Sequence, residues 1–106
     1  MNKKAFIFLC ISFSCIFSYA QESTLKVITY NIWNGYDWGK DEGRRAQVNT
    51  WINDQNPSIV ALQELCKYTS TKLEKDAKTW GHDHAVLLKT SGYSVGLTSK
   101  YPIEIK

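Results

Sequence analysis

Apolar and polar positions change period several times along the chain, and each change predicts an element. LKVITYNI, residues 25–32, sets Leu25, Val27, Thr29 and Asn31 on one face and Lys26, Ile28, Tyr30 and Ile32 on the other. Both faces are mostly apolar, which predicts an interior strand covered on each side. Polar and glycine-containing sequence runs from Trp33 to Gly43. Arg44 to Gln55 then carries Val48, Trp51 and Ile52 at helical spacing. Asn56-Pro57 ends that helix, because proline disfavours helical geometry in the residue before it.

SIVALQEL, residues 58–65, is a continuous apolar run of the kind a buried strand needs. Thr71-Lys72-Leu73-Glu74 has the spacing of a capping box and predicts a short helix with Leu73, Ala77 and Trp80 on its inner face. A hairpin follows: His84, Val86 and Leu88 alternate with Asp83, Ala85 and Leu87, Lys89 to Gly92 turn the chain, and Tyr93, Val95 and Leu97 resume the alternation. Gly96 inside the second strand predicts a bulge or a close approach. After Ser99-Lys100-Tyr101-Pro102, Ile103 and Ile105 alternate with Glu104 and Lys106 and predict the start of another strand.

The N-terminus changes what counts as the domain. Lys3 and Lys4, an apolar segment from Ala5 to Phe17 and the ending Ser18-Tyr19-Ala20 predict a secretory signal peptide, residues 1–20, cut after Ala20. The apolar stretch is too short to span a bilayer comfortably. Cys15 follows Ser12-Phe13-Ser14, which does not fit lipoprotein processing. The expected product is a secreted or periplasmic domain of residues 21–106. Of the three cysteines, Cys10 and Cys15 leave with the signal, so Cys66 has no partner for a disulfide within the domain and is expected to be a small buried thiol beside a strand end. Removing Lys3 and Lys4 from the 13 basic residues leaves near balance against 10 acids. That argues against a surface built to grip nucleic acid by charge alone.

Two strand ends could carry chemistry. Glu64 shares the face of Val60 and Leu62, where an unpaired carboxylate is costly and a divalent cation would compensate it. Carboxylate and amide oxygens suit Mg²⁺, which takes only one or two protein carboxylates. By spacing alone, Glu64 equally reads as a residue leaving the sheet for solvent or pairing with Lys67. Asn31 equally reads as a turn residue bonding its own backbone, and Asn34-Gly35 is a turn signal. His82-Asp83-His84 lacks a third ligand nearby for zinc and reads better as a half-exposed strand edge. Trp33, Tyr36 and Trp38 could form an aromatic rim for a base, sugar or lipid headgroup, or pack the loop against the domain.

Taken in order, LKVITYNIWNG, the helix with RRAQVNTWI, NPSIVALQEL and HDHAVLLKTSGYSVGLTSKYPI resemble the N-terminal half of the endonuclease/exonuclease/phosphatase superfamily, the deoxyribonuclease I-like enzymes. The resemblance implies an α/β (α+β) fold, a two-sheet β-sandwich flanked by helices, of which this would be the first half. It implies hydrolysis of a phosphoester, whether in nucleic acid, a phospholipid headgroup or a sugar phosphate, with Mg²⁺ or another divalent cation. Asn31 matches the family asparagine near metal and phosphate, Glu64 the metal-binding glutamate, and Gln63 a supporting neighbour. Trp33 stands where some members carry an acid. The family's later Asp-x-Asn segment and closing Asp-His pair have no counterpart in these residues, and His82 and His84 come too early to serve. The expectation is therefore an exported phosphoesterase in full-length form, this chain being a truncated and inactive piece of it; the alternative is a small exported binding or interaction module without catalysis.

Overall fold

The computed structural model describes residues 23–106; the predicted signal peptide, with Cys10 and Cys15, lies outside them. The elements run β1 (Val27–Asn31), a short helical turn (Trp33–Trp38), α1 (Glu42–Gln55), β2 (Ile59–Gln63), α2 (Ser70–Thr79), β3 (His84–Leu87) and β4 (Val95–Ser99). The fold is mixed α/β: helices pack on a four-stranded sheet of order β1-β2-β4-β3. The second sheet of the expected sandwich is not among the described residues.

β1 and β2 are parallel, with Val27 opposite Ile59 and Asn31 opposite Gln63. A parallel pair needs a crossover, and α1 supplies it. β4 runs antiparallel on the other side of β2, pairing Gln63 with Val95, and β3 pairs with β4 as the predicted hairpin. Among the described residues β1 is thus an edge strand, where two apolar faces had predicted an interior one. Only one of its faces is covered: Ile28 is buried, while Val27, Thr29 and Asn31 are exposed. No strand forms over residues 103–106.

The core fills the helix-covered side, with Ile28, Val60 and Leu62 from the sheet meeting Val48 and Ile52 of α1 and Leu73 and Ala77 of α2. Trp51, expected on the buried face of α1, is 45% exposed and leans on Tyr30 with ring centroids 5.9 Å apart. Asp41 caps α1 by accepting from the Arg44 N–H at 3.0 Å, and Asn56 in the left-handed region ends the helix ahead of Pro57. α2 is capped by Thr69, which accepts from the Lys72 N–H at 3.1 Å. The capping box predicted at Thr71 is therefore displaced by two positions, and Thr71 lies within the helix. Gly96 does mark a close approach: a Cβ there would come within 2.6 Å of Leu65 Cδ1 and 2.9 Å of Leu73 Cδ2.

Two buried polar clusters join elements distant in sequence. Asp76 on α2, 2% exposed, accepts from Arg45 Nε at 2.9 Å and Nη2 at 2.6 Å, from Asn49 Nδ2 at 3.1 Å and from the Tyr68 hydroxyl at 2.6 Å. Four donors satisfy this carboxylate and tie α1 to α2. In the second cluster the Pro57 carbonyl can only accept, so His82 carries its proton on Nε2 and donates there at 2.8 Å. Its Nδ1 accepts from the Thr98 hydroxyl at 2.8 Å, and Thr98 accepts from Trp80 Nε1 at 3.0 Å. His82 is fully buried, so the half-exposed edge predicted for His82-Asp83-His84 describes His84 but not His82.

Candidate functional site

Because β1 and β2 are parallel, both chains leave the sheet at the same rim, and Asn31 lies beside Gln63 in the register. In open α/β sheets, ligands characteristically bind outside the carboxyl ends of such strands. Asn31 is exposed, and its Oδ1 accepts the Trp33 N–H at 2.9 Å. This is the local turn bond that its sequence position allowed; it leaves a second lone pair on the oxygen and the whole side-chain NH₂ free of that bond.

Gln63 is held in place from the open face of the sheet. Its Nε2 donates to Thr29 Oγ1 at 2.9 Å and to the Ala61 carbonyl at 3.2 Å, so it braces β2 against β1. Glu64 leaves the strand with φ +59° and is half-buried. That turn takes it off the strand geometry it would need to share a face with Val60 and Leu62. Among the described residues no salt bridge engages its carboxylate, and Lys67 is exposed with no ionic partner. The Glu64 carbonyl accepts the Cys66 N–H at 2.8 Å, and the Ser94 carbonyl accepts the Leu65 N–H at 2.9 Å, so the glutamate turn is fastened to the start of β4. Cys66 is a free, fully buried thiol, as predicted. Burial, and then the charge of Glu64, push that thiol above its ordinary range.

The segment after Asn31 has an unusual backbone. Trp33 to Trp38 all have positive φ, between 44° and 66°, and wind into a left-handed turn closed by the Tyr36 N–H to the Ile32 carbonyl at 2.8 Å and the Gly39 N–H to the Gly35 carbonyl at 3.0 Å. For residues other than glycine this conformation costs about 1–2 kcal/mol each, so the surrounding packing must hold it. Gly35 supplies part of that packing: a Cβ there would sit 2.2 Å from the Cys66 carbonyl oxygen, and only a bare α-carbon lets the turn press on the glutamate turn. Tyr36 supplies the rest, being 3% exposed. It is therefore a core residue and does not belong to the predicted aromatic rim. Burial, then the Asp76 charge, raise its phenol well above the ordinary tyrosine range.

Trp33 and Trp38 do lie at the surface, and Trp38 meets Tyr93 edge-to-face at 5.9 Å. Tyr93 was legible only as a hairpin position; its place at this rim depends on β4 pairing with β2. Neither histidine reaches the rim. His82 is committed to Pro57 and Thr98, and His84 pairs with Ser99 at the opposite end of the sheet from Asn31.

The donor set can be tested against a metal. Among the described residues no three of His, Cys, Asp and Glu come together. One carboxylate and one amide oxygen at a rim open to water do not make a zinc site but fit Mg²⁺, which fills its remaining positions with water and substrate oxygens.

A model of the Endonuclease/Exonuclease/phosphatase family matches residues 28–106, which takes in both strand ends and the hairpin. The chain belongs to this family. Among solved structures, an AP endonuclease from Archaeoglobus fulgidus aligns with 24% identity and a TM-score of 0.49, over 73% of this chain and 28% of that one. The chain thus spans 28% of the length of that endonuclease. Nothing among the curated proteins matches.

Proposed function

We propose that this family member supplies the metal- and phosphate-binding rim of an exported, Mg²⁺-dependent phosphoesterase. The observation that carries the reading is the juxtaposition of Asn31 and Gln63–Glu64 at the shared end of two parallel strands, with the Glu64 carboxylate free of any salt bridge among the described residues. When bound, a divalent cation supplies Lewis-acid polarisation of a phosphoryl oxygen. Glu64 would hold it, and Asn31 would position the phosphate through its side-chain amide. Gln63 acts through Glu64 and Asn31 by bracing the two strand ends. A general base for the attacking water is not furnished by the described histidines, so turnover calls for groups beyond this rim.

Titration calorimetry of the chain with Mg²⁺ tests the reading, with Glu64→Gln as the variant. Glutamine keeps the size and removes the charge, so saturable Mg²⁺ binding should disappear while the far-ultraviolet circular dichroism spectrum is retained. Undiminished Mg²⁺ binding in Glu64→Gln would overturn the assignment. In a longer product that includes the base, the same substitution should abolish Mg²⁺-dependent hydrolysis of a simple phosphodiester.

A further inference from the structure

The glutamate turn carries strain at both of its ends. Glu64 and Lys67 each stand at φ +59°, and between them Leu65 and Cys66 are buried. Glycine, asparagine and aspartate enter the left-handed region most readily, and neither of these residues is among them. The segment from Glu64 to Tyr68 is therefore held in shape by its surroundings, a condition that gathers at functional sites. Within the turn the Cys66 N–H donates to the Glu64 carbonyl at 2.8 Å, but the Tyr68 N–H reaches the Leu65 carbonyl only at 3.4 Å. The downstream end thus depends on a side chain.

That side chain is Tyr68, and the Asp76 carboxylate divides its bonds in a way that singles it out. Oδ1 accepts from Arg45 and Asn49, both on α1. Among the described residues Oδ2 takes the Tyr68 hydroxyl alone, at 2.6 Å. One oxygen therefore holds α1, and the other holds the end of the glutamate turn. The Tyr68 ring is 2% exposed and lies 4.6 Å beneath the Lys72 ammonium, so it is packed with or without its hydroxyl. What the hydroxyl adds is a fixed position against α2. The upstream end is already set by Gln63 in β2 and by the Leu65 N–H on the Ser94 carbonyl.

We infer that Tyr68 is a positioning residue for Glu64: its hydroxyl, held by Asp76 Oδ2, fixes the downstream end of the glutamate turn and with it the place of the Glu64 carboxylate. This rests on the Mg²⁺ reading above and adds what orients the ligand. Mg²⁺ demands near-ideal octahedral geometry, so a carboxylate on a loosened turn binds it less well. Removing a group that orients a metal ligand costs about 10–100-fold in metal affinity. Tyr68 acts through the backbone, which sets the expected loss at the low end, about tenfold.

Two variants, each removing a donor from the same carboxylate, separate positioning from stability: Tyr68→Phe empties Oδ2, and Asn49→Ala takes one bond from Oδ1. Mg²⁺ affinity is measured by calorimetry, and exchange of the Leu65 N–H by nuclear magnetic resonance, where urea unfolding shows each chain fully folded. In a folded chain, lost global stability by itself leaves ligand affinity unchanged. Tyr68→Phe should weaken Mg²⁺ binding about tenfold and speed Leu65 exchange, whereas Asn49→Ala should match the wild type in both. Wild-type Mg²⁺ affinity in Tyr68→Phe, or an equal loss in both variants, would overturn the inference while leaving the Glu64 assignment intact. If the wild type binds no Mg²⁺, the phosphoesterase reading falls; faster Leu65 exchange confined to Tyr68→Phe would still support the hold on the turn, and unchanged exchange would overturn that too. Should Tyr68→Phe not fold, Asp76→Asn takes its place, because its amide oxygen can serve the α1 donors while its NH₂ no longer accepts the Tyr68 proton.

Discussion

Replacing Gly35 by alanine measures how firmly the left-handed turn is pressed against the glutamate turn. Two costs add. Alanine at φ +66° pays about 1–2 kcal/mol for the left-handed backbone. Its Cβ would also fall 2.2 Å from the Cys66 carbonyl oxygen and 3.0 Å from the Cys66 carbonyl carbon. The obstacle is backbone, held by the Leu65 N–H to Ser94 and the Cys66 N–H to Glu64, so it cannot swing aside as a side chain would. Forcing it apart costs a further ~1–3 kcal/mol, for a total of about 2–5 kcal/mol. Gly92 provides the control, because it also has φ +66° and a Cβ there meets nothing within 4 Å. Gly92→Ala therefore pays the backbone cost alone. Urea unfolding of the wild type and both variants, followed by circular dichroism, gives the difference directly, provided the slope with urea is unchanged. Gly35→Ala should be the less stable of the two by about 1–3 kcal/mol and should also bind Mg²⁺ more weakly, since the displaced turn adjoins Glu64. If the two variants agree to within about 0.5 kcal/mol, the size of ordinary surface substitutions, and Mg²⁺ affinity is unmoved, the close packing of these turns is not real.

Three further outcomes follow from the buried groups and the N-terminus. Asp76→Ala should destabilise the domain by about 3 kcal/mol, the low end for breaking a buried pair, because Arg45, with a side chain 21% exposed, regains water while the Tyr68 hydroxyl is left buried; a urea midpoint within error of wild type would contradict this. Tyr36 and Tyr68 both have phenols raised by burial and by Asp76. A raised folded-state value means full stability below the ordinary tyrosine pKa of about 10 and loss as pH climbs beyond it. Tyrosinate absorbance should accordingly show Tyr36 and Tyr68 ionising only as the domain unfolds; their ionisation with the fold intact would refute it. Finally, the exported product should begin at Gln21 by N-terminal sequencing, and a product retaining residues 1–20 would remove the export proposal.

Elements set by local periodicity were legible in the sequence, and those set by distant partners were not. The β2 run, the hairpin, the end of α1 at Asn56-Pro57 and the close approach at Gly96 each have a local signal. The cap of α2 did not, because Thr69, Ser70 and Thr71 are all able to cap; the choice falls on Thr69, in the register that buries Leu73 and Ala77 and brings Asp76 to Tyr68. β1 looked interior because both of its faces carry apolar residues, yet its position in the sheet depends on pairing with β2 alone. The left-handed turn was hidden for a different reason: only Gly35 among its residues advertises positive φ, and Asn34-Gly35 predicted no more than an ordinary turn. At the site, Asn31 and Glu64 stood out as strand-end polar residues. Their neighbourhood required the parallel register, and the division of Trp33, Tyr36 and Trp38 into two exposed rings and one core ring required the backbone that separates them.

The strand order β1-β2-β4-β3 has a consequence for how the chain is assembled during synthesis. β2 emerges before either strand of the hairpin, and β4, the last of the four described strands, is the one that sits beside it. β3 appears earlier and packs against α2, but it joins the sheet only through β4, so it cannot take its place in the sheet until Val95–Ser99 has been made. The hairpin can close by itself within microseconds, after which it arrives at the free edge of β2 as a unit and fixes the Ser94 carbonyl beneath Leu65. The glutamate rim is thus clasped by the last of the described strands to arrive, and a nascent chain halted before Ser99 would carry both Asn31 and Glu64 without the clasp that orients them.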